Sequence, residues 1–201
     1  WHRSGVWHVD ETAASRGERP LPRHAEPEVQ ASLRAWQTVL PPPSGTAPGK
    51  PLLLAFSHRR WDALNTRSRQ LLSRLAAQWR IAVVEEPWPI DARIGAPRLD
   101  CITVGPSIER LVAWSDVDAE GFDALQRPLL QALLGAWLAA EGLDRPTVWL
   151  TTPMAWPLAR ALSPRRVVYD CADELAEFPG APPELATLEV ELLGRADRVF
   201  A

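Results

Sequence analysis

Two short stretches of the chain hold residue types able to do chemistry. The first is Ser57-His58-Arg59-Arg60-Trp61-Asp62, an imidazole, two guanidiniums, an indole and a carboxylate in one run. His58 titrates near neutrality, so it can carry a proton or, equally well, hold a structural hydrogen bond. Arg60, and Arg67 beyond it, present planar forks to an anion. Trp61 offers a flat apolar face and Asp62 an acceptor. The second stretch is Tyr169-Asp170-Cys171-Ala172-Asp173-Glu174. Carboxylates this dense at the end of an apolar run are costly unless partnered or wet. In one reading Asp170 or Asp173 meets a substrate hydroxyl as base or acceptor, with Glu174 beside it. In the other, these residues cap a helix and pair with a loop arginine. The spacing is not Asp-x-Asp and further hard ligands are missing, so no metal is expected. Cys171 lies among acids that disfavour a thiolate, so a cysteine nucleophile is not expected. Between the two stretches, Thr151-Thr152-Pro153-Met154 reads as a helix start. Thr152 would cap it and free N–H groups would face outward.

These residues need elements that bring them together. Leu52 to Phe56 is apolar without alternation, as expected of a strand buried on both faces. A helix is predicted over 66–79, with Leu71, Leu72, Leu75, Ala76 and Trp79 on one side. Strands are predicted at Arg80–Val84 and Leu99–Val104, the latter pairing with a short extended piece, Leu111–Trp114. The apolar period over 120–142 predicts a long helix, kinked or restarted at Pro128. A strand at Thr147–Leu150, a short helix at Pro153–Leu162, a strand at Val167–Tyr169, a helix at Pro183–Arg195 and a strand begun by Val199 and Phe200 complete the order. Strands alternating with helices predict an α/β, doubly wound, mostly parallel sheet of Rossmann-like form. Ligands of such sheets sit outside the carboxyl ends of the strands. That singles out the loops after Phe56, Leu150 and Tyr169, where the stretches above lie.

Residues 1–50 differ in texture. Pro20, Pro22, Pro27, Pro41-Pro42-Pro43 and Pro48 interrupt any long element, leaving one short helix over 28–40 with Val29, Leu33, Trp36 and Leu40 on one stripe. This predicts a proline-rich leader or linker over 1–50 and one domain over 51–201. His2, His8 and His24 lack ligand spacing and read as solvated. The absence of Met at position 1 and the strand-like Asp197-Arg198-Val199-Phe200-Ala201 at the other end read as a fragment of a longer protein.

Composition narrows the function class. The 201 residues carry a formal net charge of -3, against a bulk nucleic-acid binder, which needs a basic excess. The 2 Cys cannot staple a secreted scaffold or hold structural zinc. No uninterrupted apolar stretch is long enough to span a bilayer. These features read as a cytoplasmic domain. Lys50 is the only Lys, so the basic charge is nearly all Arg, from genomic codon bias or from selection for forked anion contacts. Arg59, Arg60, Arg67, Arg69, Arg74 and Arg80 are opposed locally only by Asp62. They make either a solvated helix face or a surface for an anionic partner, a peripheral inner-membrane contact included. No Gly-x-Gly-x-x-Gly and no Gly-x-x-x-x-Gly-Lys occurs, so the common nucleotide cradles are excluded and no cofactor is expected.

Taken in order, several strings resemble a known group. They are Phe56-Ser57-His58 with Arg60-Trp61-Asp62, Arg67, Gln70-Leu71, Val84-Glu85-Glu86-Pro87, Thr152-Pro153-Met154-Ala155 and Val168 to Glu174. Pro182-Pro183-Glu184-Leu185, Leu188-Glu189, Leu192-Leu193 and Ala196 to Phe200 follow. The chain resembles the amino-terminal half of GT-B glycosyltransferases of the family-4 type, nearest the teichuronic-acid-like enzymes of bacterial cell-envelope polysaccharide synthesis. The likeness runs over residues 51–201. It departs after Arg67, where Ser68, Arg69 and Gln70 replace the Pro and Gln-His usual in that group. The resemblance implies an acceptor-side domain, with a nucleotide-sugar donor held by a second domain beyond Ala201, and a fragment inactive by itself. It also implies a metal-independent, retaining transfer to a glycan or lipid-linked acceptor, in which the donor phosphate takes the acceptor proton. His58, Arg60 and Asp62 on one loop and Asp170 and Asp173 on another would line the cleft. A non-catalytic α/β binding or scaffold module is the alternative.

Overall fold

The computed structural model describes residues 49–62, 67–91, 93, 95–171, 175 and 180–200. The predicted helix over 28–40, the histidines at 2, 8 and 24, and Asp173 and Glu174 lie outside the described residues.

The elements follow the alternating order that the apolar runs imply. They are β1 (Leu52–Ser57), α1 (Arg67–Leu75), β2 (Arg80–Glu85), β3 (Trp88–Pro89), β4 (Arg98–Gly105), β5 (Ile108–Ser115), α2 (Arg127–Ala140) and β6 (Thr147–Leu150). A 3₁₀ turn (Pro153–Ala155), α3 (Trp156–Ala161), β7 (Arg166–Asp170), α4 (Leu185–Leu193) and β8 (Arg198–Phe200) follow. The strands form one sheet in the order β3-β5-β2-β1-β6-β7-β8, with β4 paired to β5. All pairings are parallel except β4 with β5. The fold is an α/β, doubly wound, mostly parallel sheet of Rossmann-like form.

Both faces of the central strands are buried, which is why β1 and β2 read as unbroken apolar runs. Leu54, Phe56, Val84, Leu150 and Tyr169 face one core, built with Phe122, α2, α3 and Leu192 of α4. Leu53, Ala55, Ile81, Val83, Trp149 and Val168 face the other, built with α1, Trp61 and Trp79. One face is thus covered by α1 and the other by the three later helices.

The strand predicted at Leu99–Val104 pairs with the Leu111–Trp114 piece as expected; together they form an antiparallel hairpin, with Arg98–Gly105 the outer arm and Ile108–Ser115 the inner arm that pairs with β2. The inner arm is also longer than the 111–114 piece and mostly buried, while the outer arm is largely exposed. Of the kink or restart expected at Pro128, the restart is found: the helix runs over Arg127–Ala140 rather than 120–142, and Pro128 sits in its first turn, where its missing N–H costs no hydrogen bond.

Candidate functional site

Strand register defines the floor of the site. Ser57 pairs with Glu85, and Phe56, Leu150 and Tyr169 form one row across β1, β6 and β7. One residue further along stand Ser57, Thr151 and Asp170. Parallel strands in register place row-mates on the same face. Glu85, Ser57, Thr151 and Asp170 therefore follow Val83, Ala55, Trp149 and Val168 on the α1 side, at the carboxyl edge. All four are buried. Buried polar groups in a row at a sheet edge each need a partner, and the partners come from the loop after β1 and from α1.

Asp170 is fully buried and receives Nη1 of Arg67 on Oδ1 at 2.7 Å. Its Oδ2 is buried and has no hydrogen-bond partner among the described residues. Burial pushes this carboxyl above its ordinary range, while Arg67 pulls it back by charge and hydrogen bond. The pair with an arginine, one of the two readings of the acidic stretch, is therefore present; the arginine opens α1 rather than lying in a loop. Tyr169, one residue before, points into the other core and donates from Oη to Oε1 of Glu189 at 2.5 Å, tying β7 to α4. Burial pushes the Cys171 thiol up, in keeping with an inert side chain.

His58 is half-buried, with Nδ1 3.4 Å from Oγ1 of Thr151. Thr151 Oγ1 in turn lies 3.2 Å from the Phe56 carbonyl. The imidazole thus stands at the junction of β1 and β6. Thr152 accepts from the Met154 N–H at 3.3 Å and caps the 3₁₀ turn, the role its sequence position predicts.

Arg60, Trp61 and Asp62 turn away from that group and toward β2 and β5. The Arg60 guanidinium donates to the Glu86 carbonyl, reaches the Pro87 carbonyl at 3.4 Å, and lies 4.2 Å over the Trp88 ring. Burial lowers its pKa against the pull of Glu85 and Glu86. The buried Trp61 donates its backbone N–H to Glu85 Oε1 at 2.7 Å. Asp62 accepts from Arg110 Nη1. Glu85 and Arg110 were not singled out as site residues. Glu85 is fully buried, and Arg110 forks onto it with Nε on Oε1 and Nη2 on Oε2, both at 3.0 Å. Burial opposes the Arg110 charge, but Glu85 and Asp62 more than offset it and hold the guanidinium above its ordinary pKa. The sequence signal for Glu85 was a carboxylate closing an otherwise apolar run.

The arginine-rich stretch is largely consumed internally. Arg67 holds Asp170, Arg74 meets Gln70, Arg80 bridges Glu109 and Glu141, and Arg69 lies 5.4 Å over Trp61. No helix among the described residues is long and apolar enough to cross a membrane. Nor do the described residues hold a group of three or more His, Cys, Asp or Glu arranged for a metal ion.

Comparison with known proteins adds little. No family model matches the chain, and no curated protein sequence does. Among solved structures it is similar to one described as trehalose-6-phosphate from E. coli bound with UDP-2-fluoro glucose. The identity is 17% and the TM-score 0.45, over 74% of this chain and 39% of that one. A superposition that loose assigns no role to any residue here.

Proposed function

We propose that this chain is the acceptor-side domain of a GT-B glycosyltransferase of the family-4 type. It would move a sugar from a nucleotide-sugar donor to a cell-envelope glycan or lipid-linked acceptor. One observation carries the reading: Asp170, buried at the carboxyl edge, has one oxygen held by Arg67 and the other buried without a partner among the described residues. A carboxylate so arranged orients an acceptor hydroxyl, and Arg67 fixes it in direction and offsets part of the cost of its burial. His58 beside Thr151 supplies a second polar contact at the same edge. Asp173 and Glu174 follow Asp170 closely in sequence and join the same loop in this reading. The donor is assigned to a second domain, whose phosphate accepts the proton, so this domain's task is positioning and charge stabilisation.

The test is glycosyl transfer by the full-length gene product over a panel of nucleotide sugars. Asp170→Asn, Asp173→Ala and His58→Ala are compared with the wild type. Asp170→Asn and Asp173→Ala are each expected to cost about 10²-fold in rate. Transfer undiminished in both carboxylate variants, or no transfer by the wild type, overturns the reading. The second reading, a non-catalytic α/β module, is favoured by the internal bonding of Arg60 and Asp62, which leaves fewer groups for a ligand. Undetectable transfer, together with unchanged folding of the variants, would select it.

A further inference from the structure

We propose that Glu85 is the positioning residue of the loop that carries His58, acting through Arg110. In its catalytic half this rests on the transferase reading above. Glu85 ends β2 in register with Ser57, the residue from which the loop departs. Both of its oxygens are engaged. Oε1 accepts the Trp61 backbone N–H at 2.7 Å and Arg110 Nε at 3.0 Å; Oε2 accepts Arg110 Nη2 at 3.0 Å and lies 3.7 Å from Arg60 Nη1. The remaining Arg110 nitrogen, Nη1, donates to Asp62. Residues 60, 61 and 62 are therefore each fixed to one carboxylate, directly or through Arg110. At the other end of the loop, Ser57 Oγ donates to the Arg59 carbonyl at 2.9 Å and lies 3.1 Å from the Arg59 N–H. His58 is held between these two anchors.

An apolar residue would complete β2 without the desolvation that an ionised carboxylate incurs. The charge is needed because the partner is a guanidinium fork almost as buried as Glu85 itself, with side-chain exposures of 12% and 0%. Only a carboxylate matches both arms of that fork while still accepting the Trp61 N–H. A glutamine offers one oxygen and sets an N–H₂ against Arg110. Releasing the latch frees residues 58–62 and removes His58 from Thr151. Asp170 stays in place, because Arg67 holds it independently.

The experiment uses the full-length protein with Glu85→Gln and Arg110→Lys, the latter keeping charge but losing the fork. Amide exchange of the 57–62 segment is followed together with transfer kinetics. Glu85→Gln is expected to speed exchange there at least tenfold while segments from α2 and β6 stay at wild-type protection, with Arg110→Lys intermediate. Acceptor kcat/KM should fall about tenfold or more, with the donor KM unchanged. Wild-type exchange at 57–62 in both variants overturns the latch, whatever the kinetics. Faster exchange with undiminished acceptor kcat/KM overturns the positioning role. If the wild type transfers no sugar, the failure belongs to the transferase reading, and the exchange result still decides the latch. If Glu85→Gln does not fold, Arg110→Lys decides both points on the same readouts.

Discussion

Arg67, the first residue of α1, donates to Asp170, the last residue of β7, across a 2.7 Å contact at the carboxyl edge of the sheet. The helix that follows β1 is thereby bound to a strand two places away, with β6 between. The contact joins elements that no local signal relates, and it decides which buried oxygen of Asp170 is left without a partner among the described residues.

Removing Arg67 should therefore be costly in a pH-dependent way. Asp170 binds its proton more tightly in the folded than in the unfolded chain, because burial raises its pKa despite Arg67. Ionising it lowers stability as pH rises, and without Arg67 that loss grows. Arg67→Ala is expected to cost about 3 kcal/mol at pH 8, the scale for breaking a buried pair, and less at pH 5, where Asp170 can take up a proton. Urea unfolding at the two pH values checks this. A cost equal at both, or larger at pH 5, contradicts it.

Glu86 is the next group to watch. Burial pushes its carboxyl from 4.5 up to about 7, with Arg60 pulling it down and Glu120 pushing it up. The folded pKa lies above the unfolded one. The stability contributed by the protonated form is thus complete below pH 4.5 and is lost as pH rises through about 7. At about 1.36 kcal/mol per unit, the loss is at most roughly 3 kcal/mol. Glu86→Gln should flatten stability across that window and make the chain more stable than wild type at pH 8. Thermal melts from pH 4 to pH 8 would show it; parallel profiles for the two proteins would refute it.

Gly121 adopts φ +57°, and a Cβ built there would lie 3.0 Å from Glu86 Oε1. Gly121→Ala then meets both left-handed strain, about 1 kcal/mol, and crowding of a half-buried carboxyl. The expected loss is about 2 kcal/mol. In a Glu86→Ala background only the strain should remain, so the two changes are expected to be non-additive by about 1 kcal/mol. Additivity in a double-mutant cycle would show that the two residues do not press on each other.

Much of the architecture was legible in the linear pattern. Leu52 to Phe56 and Arg80 to Val84 are apolar without alternation because helices cover both faces of the strands they build. The Thr152 cap and the disturbance at Pro128 are local chemistry, readable within one turn of chain. Which arm of the hairpin lies inside was settled by packing against β2, in line with an inner arm that is apolar over Leu111–Trp114 and an outer arm interrupted by Asp100 and Thr103.

The candidate site divides along the same line. Residue type and position along the chain make His58, Thr152 and Asp170 candidates, because polar groups at the ends of buried strands emerge at one edge of such a sheet, and Arg67 a candidate through the arginine-rich stretch. Their partners were a matter of tertiary contact alone. Glu85 meets Arg110 across 25 residues and Arg67 meets Asp170 across 103. Ion pairs at such separations leave no periodic trace, since they depend on which strands become neighbours. Folding alone set Arg60 against the chain after β2 and Asp62 against Arg110 of β5, and left one oxygen of Asp170 without a partner among the described residues.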